Sequence, residues 1–229
     1  MKLFEQTTVI IEKDLEVKER LHDFGLSKSL IGKICESVLH GRNLNTALQP
    51  KTSEGLLKYI FGVEGLREVC FNLQSENADY EMFSQNNIEG VFDAENGRKI
   101  MFQMVDHACG FKDPQPKSKI GDGKKDLIRQ SAQPSLFPEW DAEEKVRVVQ
   151  LNAANKAECW YVMVSIDAGG ELCCELSHTR PVEEDNMLHF FERIKVFKYG
   201  EFNPDKDGRN SRPDDDSDTY EIKPVIKKK

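Results

Sequence analysis

The chain has 229 residues, of which 38% are hydrophobic and 31% charged, with a formal net charge of -8. That length allows one ample core or a small unit joined to a larger one, and thirteen phenylalanines and two tryptophans argue against disorder throughout. An acidic balance argues against indiscriminate polyanion binding, which rests on Lys and Arg displacing counterions, although a local basic patch remains compatible with it.

The start, MKLFEQTTVIIEKD, carries only a short apolar run before its charges alternate, unlike a secretory leader. No stretch approaches about 18 uninterrupted apolar residues, so the expectation is a soluble, cytoplasmic chain without membrane contact. Helices then dominate the reading of residues 1–78. Leu15, Val17, Leu21 and Phe24 recur on one side of a segment that Gly25 would stop. Ser27 can cap a second helix, in which Ile31, Ile34, Cys35, Val38 and Leu39 form an apolar stripe that Gly41 would end. A third helix runs from Ser53 to about Leu73, weakened or split by Gly62 and Gly65.

From Asn87 the period changes to that of strands. Apolar, β-branched runs flank Asn96-Gly97, a dipeptide suited to a two-residue hairpin. Further strands are expected at residues 146–151, 159–166 and 172–176, and at 188–197, where a short helix is the alternative. The fold class is therefore α+β: an N-terminal helical unit (1–78), then an antiparallel sheet (79–200) with a long basic loop at 111–144, then a charged, flexible tail (201–229). A short helix from about Lys124 to Gln133 interrupts the loop.

Four constellations carry chemistry. The loop run PKSKIGDGKKDLIRQ lacks the first glycine and the Ser or Thr of a phosphate-wrapping loop, yet Lys117, Lys119, Lys124, Lys125 and Arg129 face only Asp113, Asp122 and Asp126. Such a run contacts a nucleic-acid backbone or an acidic protein surface, or simply serves solubility. The helix pair around Phe24-Gly25-Leu26 has helix-turn-helix spacing, which would offer Ser27, Lys28, Ser29 and Lys33 to DNA; plain helical packing gives the same spacing. His107, Cys109, Cys173, Cys174 and His178 have zinc-ligand chemistry without the required Cys-x2-Cys spacing, and adjacent strand cysteines point to opposite faces. The six cysteines read as buried, reduced thiols. Finally, Asp93, Glu95 and Glu175 are carboxylates that a divalent-metal nuclease would need, although Glu175 in CCELSH is equally placed to pair with Arg193 across a sheet.

No serine-nucleophile motif is present and no cofactor is implied. The leading expectation is a nucleic-acid-associated or macromolecular interaction module that presents a basic loop on a rigid sheet. A metal-dependent nuclease and an acidic protein-binding inhibitor or assembly subunit are the alternatives.

Overall fold

A computed structural model describes residues 7–73, 80–85, 88–118, 120–132, 157–181 and 187–204. Its elements, in chain order, are β1 (Val9–Ile11), α1 (Asp14–His22), α2 (Lys28–Asn43), α3 (Ser53–Leu73), β2 (Tyr80–Gln85), β3 (Ile88–Asp93), β4 (Arg98–Met104), α4 (Asp122–Ala132), β5 (Glu158–Ile166), β6 (Leu172–Thr179) and β7 (Phe190–Phe197). Four helices and a seven-stranded sheet make an α+β protein, with the strands ordered β1-β7-β6-β5-β4-β3-β2.

The sheet is mixed, which corrects the expectation of an antiparallel one. β5 lies parallel to β4, and β1 lies parallel to β7. The first parallel pair follows from connectivity: the β4–β5 link crosses over through α4, and a crossover returns the chain in the same direction. β5 and β6 are buried along nearly their whole length, so both of their faces are covered.

On one face, Leu21, Ile31, Ile34, Cys35, Val38 and Leu66 of α1–α3 share a core with Ile100, Phe102, Trp160, Val162 and Leu176 of the sheet. The opposite face packs Met101, Cys159, Tyr161 and Met163 under Leu127 and Ile128 of α4 and under Val105 and Cys109. Ser27 caps α2 as expected, accepting from the Leu30 N–H at 3.2 Å. Gly25, at φ 62°, ends the preceding turn, where the Leu26 N–H reaches the Leu21 carbonyl at 3.0 Å.

Several local expectations are corrected. α2 continues through Gly41, whose missing Cβ lets Phe61 and the Leu57 carbonyl of α3 approach closely. α3 is continuous through Gly62, where any Cβ would overlap the Phe102 ring. The hairpin at Asn96-Gly97 forms, but Asp93 pairs with Arg98, so four residues make the loop. The Asp93 carboxylate organises that loop by accepting from the Asn96 N–H at 3.1 Å and its side-chain amide at 2.9 Å. Residues 190–197 settle as strand, and β1 and β2 were not anticipated. The expected strand at 146–151 and most of the 201–229 tail lie outside the described residues.

Candidate functional site: the Lys124 cleft

The expected basic loop divides into parts with different environments. Its first part is stitched to the end of β4: the Asp106 N–H donates to the Gln115 carbonyl at 2.9 Å, Val105 and Pro116 form a bridge, and the Lys117 N–H donates to Met104. The Asp106 side chain accepts from the Ala108 and Gln115 amides and so pins the turn between them. The later part is α4, and helical spacing decides which of its cations face outward. Leu127 and Ile128 are buried, and Lys124 stands three and four residues before them, on the same face. Lys124 therefore turns inward. Its amine donates to Gln103 Oε1 at 2.6 Å and lies 4.4 Å from the centre of the Tyr161 ring.

A cleft of about 290 Å³ opens at this point, lined by Tyr59 of α3, Phe102 and Gln103 of β4, Ser118, Lys124 and Tyr161 of β5. Burial lowers the Lys124 pKa from 10.5 to about 7, so its charge is conditional near neutrality. Burial raises the Tyr161 pKa well above the usual phenol value, which keeps that hydroxyl neutral. Along the rim, Lys117 is shifted down, first by partial desolvation and then by the neighbouring charge of Lys58. Lys58 itself pairs with Glu54 at 2.7 Å.

The other candidates do not gather here. Arg129 faces Asp126 at 3.7 Å across one helical turn, Lys125 is half-buried on α4, and Lys119 lies outside the described residues. Ser27, Lys28, Ser29 and Lys33 belong to the helical layer on the opposite face of the sheet. Ser27 is used as the cap of α2, and Lys28 pairs with Asp14 at 3.2 Å while its amine stands over the Phe197 ring. Among the described residues, the two basic groups thus sit on elements packed against opposite faces of the sheet.

The nuclease carboxylates are likewise dispersed. Asp93 is 1% exposed and committed to its hairpin loop, and Glu95 is exposed in that loop. Glu175 is wholly buried on β6 and is gripped by Arg193, with Nη2 at 2.9 Å and Nε at 3.2 Å from its Oε2. The ion pair between Glu175 and Arg193 therefore exists, deep within the layer beneath α4. Arg193 also reaches Asp113 at 3.1 Å and so ties β7 to the segment after β4. Burial outweighs the pull of Arg193 and lifts the Glu175 pKa to about 7.

Cys173 and Cys174 face opposite cores, Cys173 with Cys109 and Cys174 with Cys35, while His178 stacks on Trp160 and His107 is exposed. Among the described residues no three His, Cys, Asp or Glu side chains gather as a metal site would require, and the six cysteines are buried and form no disulfide. No helix of the described residues is long and apolar enough to cross a membrane.

Gln103 and Tyr161, two principal walls of the cleft, carry no mark in the sequence that separates them from core residues. Lys124 did carry one, its spacing to Leu127 and Ile128. Compared with protein-family models, curated proteins and solved structures, the chain matches none.

Proposed function

We propose that the chain is a nucleic-acid-associated binding module whose point of contact is the Lys124 cleft, with backbone phosphate meeting Lys124 and the strand passing the exposed Lys117 beside Ser118. The observation that carries this reading is the inward Lys124 amine. A three-donor group with Gln103 as its hydrogen-bond acceptor, set in an open cleft, keeps donor capacity for an anion. An anion also favours the charged form that burial disfavours, so binding and protonation reinforce each other. Tyr59 at the same cleft adds an aromatic surface of the type on which bases stack.

The net charge of -8 supports a confined contact rather than a broad one, because most of the surface repels a polyanion. The nuclease reading is weaker, since Asp93 belongs to the hairpin loop and Glu175 to a buried ion pair. Fluorescence anisotropy with labelled single-stranded and duplex DNA and RNA tests the proposal. Lys124→Met is expected to weaken binding about tenfold, a change of about 1.4 kcal/mol. Lys117→Met should flatten the salt dependence by about 0.7 to 0.9 in log-log slope. Absence of binding across the panel, or binding indifferent to both substitutions, overturns it.

A further inference from the structure

We propose that the floor of the Lys124 cleft is a site for a single phosphate group, either a terminal phosphomonoester or inorganic phosphate. The Lys124 amine and the Tyr161 hydroxyl would hold it, with Lys99 buried on the same face of the sheet. The nucleic-acid reading supplies the terminal-phosphate form of this ligand, but the evidence for the site is separate.

Tyr161 is 1% exposed and its hydroxyl has no hydrogen-bond partner. Lys99 is wholly buried and its amine has none either, standing 5.3 Å from the centre of the Phe83 ring. A buried donor without an acceptor is costly, and native structures rarely leave one without a reason. Here two such groups occur on one face of the sheet and within three residue rows. Lys99 is the cross-strand partner of Cys159, and Tyr161 stands two residues further along β5. The Cys159 thiol donates to the Leu127 carbonyl of α4 at 3.9 Å, which joins this row of the sheet to the helix that carries Lys124.

Among the described residues, the side chains lining the cleft include no carboxylate. The Lys124 amine and the Tyr161 hydroxyl, both with spare donor capacity, match a ligand rich in acceptors and able to carry two negative charges, and phosphate has both properties. A carboxylate brings one charge and fewer acceptor oxygens. An internal phosphodiester needs the strand to leave in two directions, whereas the buried Tyr161 hydroxyl marks a closed floor that suits a terminal group.

The experiment compares one oligonucleotide with and without its terminal phosphate, and separately titrates inorganic phosphate against thermal unfolding near neutral pH. Terminal phosphate is expected to tighten binding about tenfold, and Tyr161→Phe and Lys99→Met each to shrink that advantage. Inorganic phosphate should raise the Tm of the wild type and raise it less in Tyr161→Phe. Equal binding of the two oligonucleotides, still dependent on Lys124, together with no phosphate effect on Tm, overturns the phosphate site and leaves the nucleic-acid reading standing. A phosphate effect that needs Tyr161, without any oligonucleotide binding, upholds the site and makes a small phosphomonoester its ligand. If neither is seen, both proposals fall. Should Lys99→Met not fold, Tyr161→Phe, which removes an unpartnered oxygen, carries the test alone.

Discussion

The two faces of the sheet solve the problem of burial differently. Beneath α1–α3 the sheet offers Ile100, Phe102, Val162, Val164 and Leu176, and apolar side chains answer them. Beneath α4 the same strands bury Lys99, Glu175, Arg193, Ser165 and Ser177. The first face is held by a non-directional force that tolerates repacking, whereas the second adds to its own apolar cluster an ion pair, Glu175 with Arg193, whose members depend on each other. What the contrast teaches is where to look for function: a fold need not bury charge to be stable, and the face beneath α4 buries Lys99, Glu175 and Arg193 within its sheet.

Breaking the charged face should have the larger effect. Arg193→Met leaves Glu175 buried without its partner and is expected to cost about 3–5 kcal/mol in urea denaturation. Adding Glu175→Leu to that variant should restore most of the loss, because an apolar pair needs no compensation. If the single change costs no more than a surface substitution, the ion pair is not holding the segment after β4.

The apolar face is probed at its tightest point. In Gly62→Ala the new methyl would run into the Phe102 ring, which is 2% exposed and hemmed in. Despite the roughly 1 kcal/mol by which alanine favours a helix, a net loss of about 1–3 kcal/mol is expected from overpacking. A stabilised variant would mean that the two layers can separate freely.

A change of pH sharpens the comparison without altering the packing of either face. Burial holds the Lys124 pKa at about 7 in the folded chain, against an ordinary 10.5. Below about 7 both states carry the proton, and the folded state bears the full cost of a buried charge. Above 10.5 neither does. The wild type should therefore gain stability relative to Lys124→Met as pH rises from 7 towards 10.5, as measured by urea midpoints across that window. A constant difference would mean that the amine is solvated.

Much of the helical face was legible in the sequence. The stripe through Ile31, Ile34, Cys35 and Val38 and the Ser27 cap are local signals, and locality is what one chain reveals. β2 was not legible, because YEMFSQ buries Tyr80 and Phe83, three residues apart, and so lacks a period of two. Strand direction was hidden for another reason: it depends on where α4 carries the chain between β4 and β5. At the cleft, the basic run was visible but its sorting was not, since a charge run reads as wet until Leu127 and Ile128 show which side is covered. Gln103 and Tyr161 were missed because a tyrosine or glutamine within an apolar strand looks like any other core residue.

The outermost strand sets an order of events during synthesis. Val9, Ile10 and Ile11 align with Glu192, Arg193 and Ile194, and Arg20 of α1 grips Glu192 at 2.7 Å. Residues 9–11 cannot take their seat before residues 192–194 have left the ribosome, so β1 docks only after every other strand of the sheet has been made.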